Sequence, residues 1–167
     1  HFIEVDKDDE GDIYLVVHSG SRHLGMEVAD YYLRTGQKEM QMKKQGYASY
    51  EMTCLTGELM EDYLHDIKII QEFARLNREA MIESIVKGMK WKEEERYESI
   101  HNYIAMLPNG VNILRKGAAS ALEGETVIIP VNMRDGVILG VGKGNPEWNY
   151  SAPHGSGRKI KRTEVQN

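Results

Sequence analysis

The chain has 167 residues, of which 41% are hydrophobic and 28% charged, a balance that supports a packed core and excludes wholesale disorder. Lys and Arg number 21 against 26 Asp and Glu, a net charge of −5, which excludes a uniformly basic nucleic-acid coat but leaves room for a local basic pocket. The single cysteine, Cys54, rules out an internal disulfide framework and fits a reducing, cytoplasmic compartment, and no apolar run approaches the roughly 18 residues of a membrane span.

Phe2 to Val5 and Asp12 to Val17 are runs of β-formers joined by the polar turn Asp6-Lys7-Asp8-Asp9-Glu10-Gly11, and they predict a hairpin. The small-residue loop His18-Ser19-Gly20-Ser21-Arg22 follows, then a helix from Gly25 to about Arg34, with Val28, Tyr31 and Tyr32 at helical spacing. Residues 35–58 are polar and Met-rich and read as a loop with room for a short helix. From Leu59 to Lys87 the pattern sharpens. Met60, Tyr63, Leu64, Ile67, Ile70, Ala74, Met81 and Ile85 recur at steps of three and four, predicting a long amphipathic helix with Gly88 as its stop. Glu93-Glu94-Glu95-Arg96 reads as a solvated charge run.

The last third returns to strands. Ile113 to Lys116 is one, and Thr126 to Met133 and Val137 to Val141 flank the Arg134-Asp135-Gly136 turn. Pro130 cannot donate to a ladder, so its strand lies at an edge or carries a bulge. Strands, helices, then strands again predict an α+β fold.

The histidines fall into two kinds. His23 and His65 lack framing small residues and read as surface histidines, while Cys54 reads as a buried structural thiol. His1, His18, His101 and His154 lie at strand ends or in loops, where rigid mounts hold ligand geometry well. Neutral imidazole suits a transition metal, yet the intervals between these residues match no local metal motif. Shared metal binding and separate structural roles both stay open.

The segment Ser151-Ala152-Pro153-His154-Gly155-Ser156-Gly157-Arg158 is the richest in chemistry. Glycines on both sides of Ser156 let backbone N–H groups approach an anion, and Arg158 adds a bidentate phosphate contact. His154 there has the surroundings of a nucleophile attacking phosphorus. The bland alternative is a Gly-rich turn with an incidental histidine.

Several blocks together carry a resemblance. They are His1-Phe2-Ile3-Glu4-Val5, His18-Ser19-Gly20-Ser21-Arg22, Tyr63-Leu64-His65-Asp66-Ile67-Lys68 with Ala74-Arg75-Leu76-Asn77-Arg78, and His101-Asn102. Arg115-Lys116-Gly117-Ala118, Gly142-Lys143-Gly144-Asn145 and Ser151 to Arg158 complete the set. In this order, across nearly the whole chain, they resemble the RtcB family of GTP- and manganese-dependent RNA ligases.

The resemblance implies an α+β fold of mixed or antiparallel sheets with a long amphipathic helix. It implies that residues 1–167 form a single domain, the central-to-C-terminal portion of an RtcB-like catalytic domain. It assigns His1 to one Mn2+ ion and His18 and His101 to a second, and makes His154 the nucleophile that forms a covalent histidine–GMP from GTP. That GMP then activates an RNA 3′-phosphate, which members of the family also obtain by opening a 2′,3′-cyclic phosphate, and a 5′-hydroxyl end displaces it. Arg22 and Arg158 match phosphate-handling arginines, and Phe2, Glu4, Asn102, Pro130, Val131, Asn132, Met133, Gly155, Ser156 and Gly157 match the guanine-nucleotide pocket. A groove of Arg22, Arg115, Lys116, Arg158 and Lys161 is expected to attract the RNA backbone.

The resemblance also marks departures. An upstream Asp and Cys that complete the family's manganese pair, and a downstream nucleotide-contacting lysine, are not in these 167 residues, so the chain reads as a fragment expected to be inactive alone. Val131-Asn132 stands where the family prefers Gly-Ser, Val137 replaces a residue usually polar, and Lys161 sits where serine is common. The competing functional readings are a metal-dependent phosphoryl hydrolase using the same histidines and an inactive RNA-binding module, and a protein activator is a further partner the family allows.

Overall fold

The computed structural model describes residues 1–43, 49–107, 110 and 112–157. Strand β1 (Phe2–Lys7) pairs with β2 (Ile13–His18). Asp8 organises the turn between them: its Oδ1 accepts the backbone N–H groups of Glu10, Gly11 and Asp12 at 3.0, 2.8 and 2.9 Å, and Tyr14 Oη donates to its Oδ2 at 3.1 Å. These donors, the Asp12 backbone first, hold the Asp8 carboxyl below its ordinary range.

Helix α1 (Arg22–Met42) begins earlier and ends later than its apolar spacing foretold. The region read as a loop with room for a short helix is helical to Met42 and, among its described residues, makes a short 3-10 turn at Tyr50–Met52. Polar helix formers such as Gln37, Lys38, Glu39 and Gln41 extend a helix without adding an apolar stripe. Gly36 sits within α1 because a Cβ there would meet the Leu55 and Thr53 side chains at 2.5 and 2.8 Å. Cys54 in this region is exposed, correcting the expectation of a buried thiol. Its backbone N–H donates to the Met40 sulfur at 3.4 Å, and the residue stays open to solvent.

Helix α2 (Glu58–Met89) bears out the long amphipathic helix. Gly88 is not its stop: the helix runs through Gly88 and ends on Lys90 in the left-handed region. Tyr32 of α1 is buried and donates to Asp66 of α2 at 2.7 Å, with Tyr63 edge-on to its ring. Desolvation and this bond push the Tyr32 hydroxyl up to about 12. His23 and His65 are exposed beside Glu27 and Asp66, as a surface reading requires. The 93–96 charge run is exposed too, with Arg96 bonded to Glu93.

The remaining strands form three antiparallel pairs: β3 (Asn102–Met106) with β4 (Asn112–Lys116), β5 (Ala118–Ser120) with β8 (Ser151–Pro153), and β6 (Thr126–Asn132) with β7 (Gly136–Val141). The β6–β7 register shifts between Pro130 and Asn132, the bulge that the missing proline N–H foretold. Helices with antiparallel sheets make the α+β class. The three-residue strands β5 and β8 are too short for alternation to reveal.

The chain divides into two compact units, residues 1–3 with 15–91 and residues 4–14 with 92–167. Among the described residues, Tyr32 and Ala74 are the buried apolar residues of the first, and Ala119, Ala121 and Val127 those of the second. No helix among the described residues is long and apolar enough to cross a membrane.

Candidate functional site

The second unit brings together two of the four histidines that sequence alone could not connect. His101 immediately precedes β3, and His154 immediately follows β8. Their ring centroids lie 4.7 Å apart. Gly117, at the end of β4, joins them. Its N–H donates to the His101 carbonyl at 2.7 Å and to Asn102 Oδ1 at 3.2 Å, and its carbonyl lies 2.6 Å from His154 Nδ1.

A carbonyl oxygen only accepts, so His154 Nδ1 carries the proton and donates it. In the neutral ring Nε2 then keeps its lone pair. That is the state a histidine needs to attack phosphorus. Gly117 is required at this spot for two reasons. Its φ is +72°, and a Cβ would meet His154 Cε1 and Nδ1 at 3.1 and 3.3 Å.

The loop after His154 is tied to β6. Ser156 N–H donates to the Pro130 carbonyl at 3.1 Å and Ser156 Oγ to the Val131 carbonyl at 2.9 Å. Pro130, Val131, Gly155 and Ser156 therefore form one neighbourhood, and Gly157 follows with a φ of +77°. Asn132 spends its side chain on the β6–β7 turn, accepting from Arg134 and Asp135 N–H and donating to Asp135 Oδ2. Met133 at the turn tip is 94% exposed. Glu4 belongs to the same unit and is half-buried; desolvation, then the charge of Asp6, raises its carboxyl above the ordinary value.

The first unit holds His1, Phe2, His18 and Arg22. His1 is exposed, and the Phe2 ring stacks on His18 at 4.9 Å. The loop after His18 is clamped by α2: Asn77 Nδ2 donates to Ser19 Oγ and the Gly20 carbonyl at 3.0 and 3.3 Å, and Arg78 donates to the Ser19 carbonyl at 3.1 Å. Arg22 leaves this loop with a φ of +58°, a left-handed conformation that costs about 1–2 kcal/mol for a side-chain-bearing residue. Asn77 and Arg78 hold this loop in place, a role that helical periodicity does not single out, because a polar pair on a helix reads as solvated surface.

Arg115 corrects an expectation. An RNA-facing groove requires its guanidinium to reach solvent, yet it is 2% exposed. Its guanidinium donates to Ser151 Oγ, Tyr103 Oη and the carbonyls of Asn149 and Tyr150 at 3.1 to 3.4 Å, with the Tyr103 ring 5.5 Å away. Lys116 beside it is exposed. Arg158 and Lys161 lie outside the described residues.

Imidazole suits a divalent first-row ion in kind, and His18 and His101 carry that donor. Among the described residues, no group of three or more His, Cys, Asp or Glu is gathered as a metal site. The assignment of manganese to His1, His18 and His101 thus rests on the sequence resemblance.

Comparison with known proteins agrees with that resemblance. The family profile described as tRNA-splicing ligase RtcB matches residues 1–167. RNA-splicing ligase RtcB1 from an Escherichia coli strain is 34% identical, over 99% of this chain and 45% of its own length. RNA-splicing ligase RtcB from Escherichia coli K12 is 33% identical over the same shares. The tRNA-splicing ligase RtcB of Aeropyrum pernix is 28% identical, over 94% of this chain and 39% of its own. The chain thus spans just under half the length of the curated relatives it matches. No solved structure matches it.

Proposed function

The chain belongs to the RtcB family, and from that premise we propose that it carries the nucleotide-transfer centre of an RNA ligase joining 3′-phosphate or 2′,3′-cyclic phosphate ends to 5′-hydroxyl ends. The observation that supports this reading most is the bond from His154 Nδ1 to the Gly117 carbonyl beside His101. It fixes the tautomer that leaves Nε2 nucleophilic.

In the proposed reaction, Nε2 attacks the α-phosphorus of GTP, an N–P bond forms and pyrophosphate leaves. An RNA 3′-phosphate oxygen then takes the GMP from His154, which restores the free imidazole. The 5′-hydroxyl of the second end attacks the activated phosphate, loses its proton and displaces GMP. The Gly155 and Gly157 backbone on either side of Ser156 suits the triphosphate, and Arg22 and Arg158 suit the phosphates of nucleotide and RNA. Glu4 and Asn102 offer polar partners for guanine, with Phe2 as an apolar one. Pro130, Val131, Asn132 and Met133 are assigned to guanine by the resemblance alone. His1, His18 and His101 would hold manganese, which supplies charge neutralisation on phosphate oxygens when bound.

The test is incubation of the full-length protein with manganese and GTP labelled at the α-phosphate. An acid-labile protein label, lost in His154→Ala, is the expected result. Phosphate release without a covalent adduct would replace this reading with a hydrolase. Neither label nor turnover, with RNA binding kept, would replace it with a binding module.

A further inference from the structure

We propose that Arg115 is the positioning residue that sets the nucleophile, by holding the entry to β8 in a conformation its own residues resist; this rests on the reading of His154 given above. Asn149 and Tyr150 are consecutive non-glycine residues with φ of +49° and +51°, in the left-handed region that L-residues disfavour and tyrosine more than asparagine. Such a pair persists only where neighbours impose it. Arg115 Nη2 donates to both of their carbonyls at 3.1 Å. Its Nε donates to Ser151 Oγ at 3.2 Å, and Ser151 Oγ in turn donates to the Asn149 carbonyl at 2.8 Å.

The same short stretch of chain holds the other end. Ala118 pairs with Pro153 in the β5–β8 ladder, and Gly117 receives the imidazole of His154. Residues 115–118 therefore grip residues 149–154 from the left-handed bend to the reacting ring. A planar guanidinium reaches the two carbonyls and the hydroxyl at once, whereas an ammonium on a flexible stem does not. Every acceptor Arg115 meets among the described residues is neutral. A buried guanidinium kept for stability alone is costly unless paired. This one is spent on backbone carbonyls at the nucleophile's mount.

The experiment uses the full-length protein and the rate of His154 labelling from GTP. Arg115→Lys lowers the labelling rate at saturating GTP at least tenfold, and the KM for GTP stays within threefold. Adding Tyr150→Gly to Arg115→Lys, which removes the penalty for positive φ, recovers at least threefold of the rate. Ser151→Ala, a milder change for the case where Arg115→Lys does not fold, lowers the rate about threefold with the same unchanged KM. A wild-type rate in Arg115→Lys or Ser151→Ala overturns the inference. So does a raised KM at an unchanged rate, or a loss that Tyr150→Gly leaves in place. If the wild-type protein takes no label at His154, the ligase reading fails instead. The inference is then judged on the His154 Nδ1 proton, which exchanges with water at least tenfold faster in Arg115→Lys if it holds and at the wild-type rate if it does not.

Discussion

Gly117 connects backbone chemistry to reactivity within one residue. Its N–H engages His101 and Asn102, its carbonyl engages His154, and its missing side chain leaves room for the imidazole. Gly117→Ala puts a methyl group 3.1 Å from His154 Cε1 at a positive φ. It should cost about 1–2 kcal/mol of stability and slow guanylylation at least tenfold, read by thermal denaturation and by the labelling rate. A normal rate with normal stability would mean that the ring does not sit against this glycine. The residues of this cluster were legible singly. His101, Gly117 and His154 stood out as loop or motif residues, but their adjacency is a product of β3, β4, β5 and β8, and no local spacing encodes it. Arg115 was misplaced for a related reason: arginine in a sequence reads as surface, and only tertiary acceptors such as the Asn149 and Tyr150 carbonyls let it be buried.

The secondary-structure elements differ in how far their sequence announces them. Helix α2 writes its apolar stripe at steps of three and four. The C-terminal half of α1 does not, because polar helix formers carry it past Arg34 to Met42. The α1–α2 pair is joined at the buried Tyr32 hydroxyl, which donates to Asp66. Tyr32 titrates near 10 when unfolded and is pushed up to about 12 when folded. The raised value means the protonated hydroxyl is the form that stabilises the pair. That contribution is full below about pH 10 and is lost as pH rises through about 12. Tyr32→Phe should therefore remove part of the alkaline loss of stability, measured as melting temperature between pH 9 and 12. An unchanged alkaline profile would place the titrating group elsewhere. Asp66 responds at the other end of the scale. The Tyr32 bond first, and His65 next, hold its carboxyl below the ordinary range, so its contribution persists at neutral pH and fades only as strongly acid conditions protonate it.

At the scale of the whole molecule, apolar surface outruns the core. Ile3, Val5 and Ile13 on the first hairpin and Met106 and Leu114 on β3–β4 are exposed, while the buried apolar residues among those described are few and mostly small. These 167 residues on their own should self-associate, measured by sedimentation velocity across a concentration series. A monodisperse monomer at all concentrations would contradict this. The α+β class and the family were legible across the whole chain, because blocks in order survive where single motifs are weak. The metal set stays what the resemblance implies, since no local spacing ties His18 to His101 or sets His1 beside a second ion. The most direct measurement on the central claim is the atom that carries GMP. Phosphorus NMR and peptide mapping of the labelled full-length protein should find a phosphoramidate at Nε2 of His154, with Nδ1 still protonated. GMP on Nδ1, or on any other residue, would contradict the account.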